Sequence, residues 1–567
     1  MSTGDAARVA DLLDEIGRRV QLEIGNPYKA LAYLRAAESL RHLARPLQEI
    51  IDQGGLKDLP AIGEAIARRI VALQQGEADP WLEKSRAKFP AGLLELLSIP
   101  GLKPEGVLRL FRTVGISSLD ELEQACRNGD LNGIKGFTSA LQRRLLGGID
   151  MVRAGRGLLR INRAHEILAH GIAEVKRNRP DLANITIAGD LRRGCELISD
   201  LSLVASGKVT GETTIERLGA ITLHIAPREE FATALLFATG SRQHTNELQK
   251  LARHNGLNLT PAGLHQGVLR LPTPTEADAY KALGLPFISP ELREGSGEVE
   301  LAAKGRLPTL VKEEDLNGLL HVHTDYSDGL HSLEEMAEGA RRRGYHYLGV
   351  CDHSQSAHYA RGLDLDAVVA QLSEIDVLNR RWGRGFRILK GIESDIRIDG
   401  SLDYDDDILA CFDFVVASVH GRFRLDRKAQ TARIISAIQN PFTTILGHPT
   451  GRLLLRRPEY EVDVDTILKA CAQNGVAIEI NCNPNRLDLD WRWHRLALEL
   501  GCCMSINPDA HSTRELDLIK WGVSIARKGG VPRERVLNAM RLEQMLAYLR
   551  NRRQRAQKKT RTASKLL

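Results

Sequence analysis

The sequence predicts a multidomain protein in which an all-α region precedes an α+β region and a C-terminal α/β barrel. The chain has 567 residues, which at about 150 residues per domain gives three or four domains. The first 150 residues place apolar side chains at helical spacing between short Gly and Pro interruptions. From Gly318 to about Ala547, short β-branched runs alternate with amphipathic helical stretches, which is the pattern of a parallel βα sheet or barrel.

Composition excludes several classes of protein. Hydrophobic residues make up 43% and charged residues 26% of the chain, which is ordinary globular usage and excludes disorder, collagen and coiled coil. No run of 18 apolar residues occurs, so we predict no membrane span. The N-terminal segment has no apolar signal-peptide core, and the eight cysteines show no CxxC spacing. We therefore expect a cytoplasmic protein with reduced thiols.

The basic charge is concentrated at the C-terminal end. The formal net charge is +6, from 78 basic and 72 acidic side chains. Residues 550–567 hold eight of the basic side chains and no acidic one, which leaves 70 basic against 72 acidic side chains elsewhere. Such a block is typical of a disordered tail, which either adds nonspecific affinity for nucleic acid or has no role.

Three helix–turn–helix units with similar Gly turns occur in the first 150 residues. Their turns read LPAIG, IPGLK and NGIKG, and they resemble helix-hairpin-helix motifs, although Lys103 and Thr138 stand where that pattern prefers a second glycine. Glycines let the backbone approach a phosphate, and the next helix offers free N–H groups. We predict that Gly63, Gly101 and Gly136 contact the DNA backbone without reading sequence. The alternative is an ordinary αα-hairpin.

Potential metal ligands stand at the ends of predicted strands in the C-terminal half. Six of seven strand-like runs end in His, Asp or Glu side chains, and the seventh carries Glu479 and Asn481 at the same place. Because the strands of a parallel barrel open onto one face at their C-terminal ends, these side chains should converge there. The nine candidates are His321, His323, Asp328, His353, Glu393, His420, His448, Asp509 and His511.

The number and type of these side chains predict a multinuclear metal site. His321 and His323 are two residues apart, as are Asp509 and His511, so each pair should point to one side. Nine donors exceed what one zinc ion coordinates, and two or three divalent ions are therefore expected. Imidazole mixed with carboxylate suits zinc, manganese or iron.

The motifs HVHTDYSDG, CDHS, GIESD, SVHGRF, GHPTGR and NPDAHS resemble the polymerase and histidinol phosphatase (PHP) domain. The resemblance implies a (βα)7 barrel with a trinuclear site that hydrolyses phosphoesters, and it implies that the nine side chains above are its metal ligands and catalytic residues. Four arginines follow strand ends and are candidates to hold phosphate, with salt bridges at the rim as the alternative. They are Arg422, Arg452, Arg456 and Arg486.

The whole chain resembles the bacterial X-family DNA polymerases. The segments NPYKALAYLRAAESL, AGDLRRG, FATGSRQHTN, ELREGSGEVELAA and EINCNPNRLDLDWRWHR support the resemblance. In that family the palm sheet carries three aspartates, two on one strand and one on its neighbour, which hold two Mg²⁺ ions. Here only Asp200 remains, with Ser202 and Thr222 in the other two places. Asp190 also replaces a serine that is expected to meet the incoming triphosphate.

These departures predict a degenerate palm. One carboxylate does not suffice for two magnesium ions, and an acid at position 190 would repel phosphate. We therefore expect Mg²⁺ binding and templated polymerisation to be weak or lost. A palm remnant could still bind a DNA end or a nucleotide, and it consists of Asp200, Arg192, Arg193, Gly240, Ser241 and Arg242.

The resemblance divides the chain into six segments. Residues 1–90 form a helical helix-hairpin-helix domain and 91–150 a fingers-like helix-hairpin-helix region. A palm-like nucleotidyltransferase domain spans 151–245, and a thumb-like domain with a linker spans 246–316. The PHP barrel occupies 317–549, followed by the basic disordered tail at 550–567.

The resemblance implies a DNA repair enzyme, with a role in base excision repair, whose working site is the PHP barrel. It implies 3′–5′ exonuclease activity, with 3′ phosphates and abasic sites as further substrates, and Mn²⁺ as the expected ion with Zn²⁺ or Fe²⁺ as alternatives. Gapped, nicked or 3′-ended DNA is the expected partner of a nucleoid-associated bacterial monomer. The other interpretations are an active gap-filling polymerase, a small-molecule phosphatase of the histidinol-phosphatase type, and a noncatalytic DNA-end scaffold.

Overall fold

The computed structural model describes residues 4–23, 25–41, 46–59, 62–209, 213–383 and 385–564. The chain divides into two compact units. The first comprises the residues up to Gly157 together with the segment Leu455–Arg457, and the second comprises the rest.

The described part of the first unit is all-α, as the sequence predicts. Apolar helix faces are buried in two clusters, one formed mainly between Val9 and Leu82 and the other mainly between Phe89 and Ile149. A 3-10 turn spans Gly55–Asp58. The α-helices are Gly4–Glu23, Pro27–Arg41, Leu47–Asp52, Glu64–Gln74, Pro80–Lys88, Gly92–Leu96, Pro104–Val114, Leu119–Asn128 and Ser139–Ala154.

A palm-like α+β region begins the second unit. Its sheet has four strands, with a parallel central pair and antiparallel outer pairs. In spatial order the strands are Ala183–Ile187, Ser202–Ser206, Ile221–Ala226 and Thr214–Leu218. A separate antiparallel pair joins Leu159–Arg160 to Leu197–Ile198. The helices are Ile161–Asn178, Gly189–Arg192, Phe231–Thr239 and Arg242–His254.

A smaller thumb-like region follows the palm-like region. It contains an antiparallel three-stranded sheet and two short helices around a core that includes Leu248, Leu264 and Tyr280. The strands are Asn258–Thr260, Gly263–Gln266 and Leu269–Leu271, and the helices are Glu276–Ala282 and Glu298–Ala303.

The C-terminal region is a parallel seven-stranded barrel, which confirms the predicted fold class. Neighbouring strands follow chain order, and a parallel bridge from Val322 to Ala510 joins the two ends of the sheet. Burial on both faces accounts for the apolar, β-branched character of the strands. The strands are Gly318–Val322, Tyr347–Val350, Arg387–Asp395, Phe414–Ser418, Thr443–Leu446, Ala477–Asn481 and Met504–Asn507.

Helices connect the barrel strands and cover the barrel. Several begin at a polar cap, such as Ser332, Asp364 and Asp426, whose side chains accept a hydrogen bond from the first helical turn. The α-helices are Leu333–Arg342, Leu365–Trp382, Asp406–Leu409, Arg427–Gln439, Val464–Asn474, His494–Glu499, Ile519–Lys528 and Leu542–Ser564. The 3-10 turns of the second unit are Pro290–Leu292, Glu313–Asp315, His358–Ala360, Trp491–Trp493, Glu515–Leu518, Arg533–Arg535 and Leu537–Ala539.

The C-terminal segment differs from the prediction. The last helix continues to Ser564, so the predicted disordered tail is helical over residues 550–564. Lys and Arg have good helix propensity, whereas the predicted disorder rests on charge alone. Residues 565–567 lie outside the described residues. Among the described residues, no helix has the length and apolar character needed to cross a bilayer.

Candidate metal centre

The C-terminal ends of the barrel strands bring the nine predicted ligands together. Seven of them form three overlapping groups, and within each group the candidate ligand atoms lie within 4.8 Å of one another. The other two adjoin these groups: His448 Nε2 lies 3.1 Å from Glu393 Oε1, and Asp509 Oδ1 lies 3.2 Å from His323 Nε2. The groups are His323, Asp328, His353 and His511; His321, His323 and Glu393; and His353, Glu393 and His420.

Glu393 is the central carboxylate of this cluster. Its Oε1 lies 3.2 Å from Nε2 of His321 and 3.2 Å from Nε2 of His420. Its Oε2 lies 2.9 Å from Nδ1 of His353 and 3.8 Å from Nε2 of His323. The residue is 1% exposed, so both oxygens face the cluster rather than solvent. Both oxygens of Glu393 would therefore be available to hold metal ions.

Two aspartates complete the acidic part of the cluster. Asp509 Oδ1 lies 3.2 Å from Nε2 of His323 and 3.6 Å from Nε2 of His321. Asp328 lies toward solvent, with its Oδ1 at 3.4 Å from Nε2 of His511 and 3.6 Å from Nε2 of His353. The cluster therefore has a buried end around Asp509 and a half-exposed end around Asp328.

Several ligand-bearing positions have a left-handed backbone. His321, His448 and Asp509 have φ of 57°, 24° and 51°, a region that non-Gly residues adopt at a cost and that is concentrated at functional sites. The first strand is irregular between Leu319 and Val322. His321 and His323 therefore do not follow simple strand alternation, although both rings still reach the cluster.

The buried polar atoms of the cluster fit bound metal ions. Among the described residues, the orphaned buried atoms without a hydrogen-bond partner include His321 Nε2, both ring nitrogens of His323, His353 Nδ1, Glu393 Oε2 and His448 Nδ1. Unpartnered polar atoms at this depth are costly, and divalent cations would satisfy them. The mixture of imidazole and carboxylate in three overlapping groups suits a multi-metal site.

The charges of the cluster are strongly coupled. Burial opposes ionisation, but neighbouring histidines hold the pKa of Glu393 and of Asp509 well below the usual range. Burial lowers the pKa of His323 to about 3, with His511 and His353 adding to the effect. Against burial, Glu393 and Asp395 raise the pKa of His420 to about 10. The carboxylates are thus ionised at neutral pH, as metal ligation requires.

Outer carboxylates orient two of the histidines. Glu479 accepts a hydrogen bond from His321 Nδ1 at 2.5 Å, and Asp395 accepts one from His420 Nδ1 at 2.5 Å. In each case the Nε2 atom is directed toward the cluster, which is how second-sphere carboxylates fix a metal-ligating imidazole. Sequence reasoning noted Glu479 only as a strand-end residue and missed the role of Asp395, although both stand at strand ends.

Other polar residues fasten the carboxylates and a ligand loop. Asn481 Nδ2 donates to Asp509 Oδ2 at 3.0 Å. Asp352 is fully buried and accepts hydrogen bonds from the Thr324 backbone N–H at 2.8 Å and the Ser327 hydroxyl at 2.5 Å. Asp352 therefore holds the loop that carries Asp328.

The four candidate arginines differ in placement. Arg486 lies with its Nε 3.9 Å from Asp509 Oδ2, beside the cluster. Arg422 is exposed directly after the His420–Gly421 turn. Arg452 is buried and donates to the backbone carbonyls of Arg486 and Leu487 and to Asp490.

One of these phosphate predictions, that for Arg452, is therefore corrected. The donors of Arg452 hold its own loop, so this residue is structural. Arg456 is exposed in the segment Leu455–Arg457, which groups with the first unit, so the structure does not assign it to the barrel site. Arg422, Arg456 and Arg486 stay predictions.

The palm-like region shows how its substituted positions pair. Ser202 stands opposite Thr222 in the parallel register, and the Ser202 hydroxyl donates to Asp200 Oδ2 at 2.8 Å. Burial raises the pKa of Asp200, and Asp190 adds to it. Asp190 Oδ2 accepts hydrogen bonds from the Ser199 backbone N–H at 2.9 Å and hydroxyl at 2.6 Å.

The arginines of the predicted palm remnant are engaged by acids. Arg192 forms a bidentate pair with Glu276, with distances of 2.9 and 2.5 Å. Arg193 contacts Asp190 and pairs with Glu294 at 2.8 Å. Protein carboxylates therefore occupy both guanidinium groups, and the expectation that this remnant binds a DNA end or a nucleotide stays a prediction.

The other members of the remnant lie at the start of helix Arg242–His254. The Ser241 hydroxyl caps this helix by accepting a hydrogen bond from His244 N at 3.1 Å. Gly240 precedes it, and Arg242 lines an open cavity with Gln243 and Lys250. The lining of this cavity is therefore basic at Arg242 and Lys250 but also includes the carboxylate of Glu247.

The predicted DNA-contacting turns lie in the first unit. Gly101 and Gly136 have φ of 82° and 95°, which glycine adopts readily, whereas Gly63 is extended and directly precedes a helix. Thr138, which departs from the motif, caps the next helix by accepting a hydrogen bond from Leu141 N at 3.3 Å.

Comparison with known families agrees with this architecture. A helix-hairpin-helix domain matches residues 5–77, the DNA polymerase beta thumb matches 234–294, and the PHP domain matches 320–483. The thumb match begins before the boundary predicted at residue 246. The helix-hairpin-helix and thumb domains indicate DNA binding.

Two kinds of known proteins are similar in sequence to this chain. The "DNA polymerase/3'-5' exonuclease PolX" of Bacillus subtilis (strain 168) is 33% identical over 568 aligned residues, which cover 95% of this chain and 98% of the relative. A probable phosphatase of Thermoanaerobacter sp. (strain X514) is 28% identical over 38% of this chain and 88% of its own length. A probable phosphatase of Caldanaerobacter subterraneus subsp. tengcongensis is 26% identical over 41% of this chain.

The fold and the site define an enzyme that acts on DNA as a polymerase or a hydrolase. The near full-length relative makes the assignment more specific. The chain belongs to the bacterial X-family DNA polymerases that carry a C-terminal PHP domain.

Proposed function

We propose that this protein hydrolyses DNA phosphodiesters from the 3′ end at the barrel cluster, as a repair exonuclease. The observation that carries the proposal is the buried, nine-residue cluster with orphaned His and Glu atoms. The exonuclease activity named for the Bacillus subtilis relative supports it. The proposed substrates are gapped, nicked or 3′-ended DNA, and the proposed state is a monomer.

The nine residues of the cluster would hold two or three divalent ions, with Mn²⁺ proposed first and Zn²⁺ or Fe²⁺ as alternatives. Such ions supply an activated water and neutralise the phosphoryl oxygens when bound. Glu479 and Asp395 orient His321 and His420. Arg486, beside Asp509, and exposed Arg422 are the proposed phosphate-holding groups.

We further propose that templated polymerisation is weak. Ser202 and Thr222 stand beside Asp200 where the family has aspartates. The carboxylate of Asp190 does interact with Asp200, but it is held by Ser199 and Arg193. Arg192 and Arg193 are paired with acids, and Asp190 adds negative charge where phosphate would enter. A nucleotide would have to break these pairs before binding.

A second candidate activity is removal of a 3′ phosphate from DNA. The barrel relatives are named probable phosphatases, and each is matched over most of its length. A terminal phosphate is a monoester and the linkage is a diester, but both would present non-bridging phosphoryl oxygens to the cluster. The two activities therefore need separate substrates in the test.

One gel tests these proposals. A 5′-labelled primer on a gapped duplex is incubated with Mn²⁺ and four dNTPs, with wild type and His321→Ala compared, and a parallel lane carries a 3′-phosphorylated primer. Shortening that His321→Ala abolishes is expected. Lengthening by both proteins would contradict the weak-palm proposal, and no change in any lane would contradict hydrolysis.

A further inference from the structure

The last helix, Leu542–Ser564, has an apolar first part and a basic second part, and the proposed hydrolysis uses neither. In the first part, Met545 and Leu549 are buried in an apolar cluster that includes Tyr347 of a barrel strand. In the second part, residues 550–564, seven side chains are Lys or Arg, none is acidic, and no apolar side chain is larger than that of alanine. The basic part therefore has no apolar face with which to pack on the protein.

The basic part holds no acidic side chain that could pair with its own charges. A helix that is polar all round is stabilised by opposite charges one turn apart or by a partner. Here Arg555 and Lys559 stand four residues apart, and like charges at that spacing destabilise a helix. A bound polyanion would replace this repulsion with attraction, so the basic part of the helix fits an anionic partner.

The helix is fastened at the N-terminal end of the barrel strands. The Arg552 guanidinium donates hydrogen bonds to the backbone oxygens of Thr443 and Gly475. Thr443 is the first residue of its strand, and Gly475 lies just before the next strand begins. The candidate ligand His448 follows the other end of the Thr443 strand, roughly 16 Å away at about 3.3 Å per residue. The helix therefore leaves the barrel at the end opposite the metal centre.

The length and charge of the basic part suit the backbone of DNA. Beyond Arg552 the helix continues for twelve residues, which is about 18 Å at 1.5 Å per residue. A DNA duplex presents about ten phosphate charges over that length. The basic side chains in these twelve residues are Arg553, Arg555, Lys558, Lys559 and Arg561.

A membrane surface suits the basic part less well than DNA does. A helix that lies in a bilayer interface needs large apolar side chains on one face, and residues 550–564 have none. The same chain carries helix-hairpin-helix and thumb domains, which indicate DNA binding. A further contact tethered to these domains would raise the overall affinity for one DNA molecule.

We propose that the basic part of the last helix, residues 550–564, binds the phosphate backbone of DNA at the end of the barrel opposite the metal centre. The contact is independent of sequence and needs no metal ion. Because it lies at the other end of the barrel from the cluster, it holds a stretch of DNA away from the nucleotides at the metal centre and contributes to affinity. This binding does not depend on the proposed hydrolysis.

Removal of charge from the full-length protein tests the proposal. The five-charge variant carries Arg553→Gln, Arg555→Gln, Lys558→Gln, Lys559→Gln and Arg561→Gln, which keep good helix-forming residues. Fluorescence anisotropy with a chelator present measures binding to a duplex of about 60 base pairs, about 200 Å long. The dissociation constant at about 100 mM salt is expected to rise at least about 10-fold, and the slope of log affinity against log salt is expected to fall by about 2 to 4.5.

Two control variants separate the position of the charges from their number. The three-charge control carries Arg341→Gln, Lys469→Gln and Arg495→Gln on other barrel helices, where each basic side chain pairs with an acid. This control should bind DNA nearly as wild type does. A variant with Arg553→Lys and Arg555→Lys keeps the charge of the helix and should also bind DNA nearly as wild type does.

A measurement on the wild-type protein does not depend on how any variant folds. Trypsin cleaves after Lys and Arg, so the basic part of the helix contains several cleavage sites. Excess duplex DNA is expected to slow cleavage within residues 550–564, as followed by mass spectrometry of the released peptides. A short acidic peptide as substrate reports trypsin activity with and without DNA.

Several results would overturn the proposal. They are an unchanged dissociation constant and salt slope in the five-charge variant, an equal loss of affinity in the three-charge control, and cleavage within residues 550–564 that DNA does not slow. Unchanged DNA binding with lost binding to vesicles of half phosphatidylserine would assign the helix to a membrane surface instead. Since binding is measured without metal ions, failure of the proposed hydrolysis would leave these outcomes unaffected.

Discussion

At the residue scale, Glu393 is the carboxylate around which the histidines of the candidate metal centre are arranged. Four histidines lie within 3.2 Å of its two oxygens and a fifth lies at 3.8 Å. With 1% exposure, its charge has no solvent to stabilise it. Its two oxygens therefore depend on the histidines and on any bound cations.

Glu393→Gln is expected to lose at least one bound ion per chain and to reduce DNA hydrolysis by more than about 100-fold, since a neutral amide would hold divalent cations far more weakly than a carboxylate. Metal content measured by mass spectrometry and a single-turnover assay check this. Glu499→Gln is the matched control, because Glu499 forms an exposed ion pair with Arg495 one turn away. Full metal content together with full activity in Glu393→Gln would contradict the assignment.

Glu479 acts through His321 rather than on substrate. Glu479→Gln should weaken metal binding by about 10- to 100-fold, since it removes the negative charge of the group that accepts a hydrogen bond from His321 Nδ1. Titration of the metal-free protein, prepared with a chelator that is then removed, with Mn²⁺ measures the change in metal affinity. Activity should return at high Mn²⁺ for Glu479→Gln, and an absence of any shift in the titration would argue against the positioning role.

At the scale of elements, two barrel glycines pack closely against the ring of Phe414 on a neighbouring strand. A Cβ atom on Gly391 would lie 2.3 Å from the ring of Phe414, and one on Gly349 would lie 2.6 Å from the same ring. Gly391 precedes Glu393 by two residues on one strand. The fit between these glycines and Phe414 therefore fixes the strand that presents the central carboxylate.

The junction between the palm-like and thumb-like regions depends on one buried carboxylate. Glu276 pairs with Arg192 and with Arg293, whose side chain is fully buried. Burial alone would raise the pKa of Glu276, but the two arginines hold it below the usual value of 4.5. The ionised pair thus stabilises the fold above that pH, and this stability is lost as the pH falls through the lowered pKa.

Glu276→Gln is expected to destabilise the second unit by about 3–5 kcal/mol at neutral pH, because it leaves Arg293 buried without its partner. Urea unfolding measures the effect. The difference in unfolding free energy between wild type and Glu276→Gln should disappear as the pH falls below 4.5. Glu300→Gln, which breaks an exposed pair with Lys304, should leave the free energy of unfolding nearly unchanged, because solvent screens such a pair. A gap that persists in acid would contradict the ion-pair explanation.

At the scale of the whole molecule, DNA-binding domains and the metal barrel are distinct parts of one chain. The helix-hairpin-helix match covers residues 5–77, and the PHP match covers 320–483. Contacts from helix N-termini and glycine turns are made to the DNA backbone and need no divalent ion. Binding and hydrolysis should therefore separate experimentally.

Removal of metal ions with a chelator is expected to abolish hydrolysis while DNA affinity persists. Fluorescence anisotropy with a gapped duplex measures binding, and the affinity should fall as salt rises because backbone contacts release counterions. Loss of binding on chelation, restored by Mn²⁺, would instead place the main DNA contact at the barrel.

Much of the architecture could be predicted from sequence because it follows from periodicity. The alternation of strand and helix predicts the parallel barrel, and ligands at strand ends predict one cluster such as that around Glu393. The ion-pair partners of Arg192 and of Arg452 could not be predicted. They are Glu276 and Asp490, which are far away in sequence, and a local pattern does not encode such contacts.

The sequence by itself determined the family, the order of the regions and the identity of the nine candidate ligands, since these depend on residue types at local spacings. Only the tertiary structure decided which polar groups remain available. It gave Asp395 and Glu479 their orienting roles and left Tyr359 exposed beside His420. The physical reason is that burial and hydrogen bonding depend on which distant segments meet, which no local pattern records.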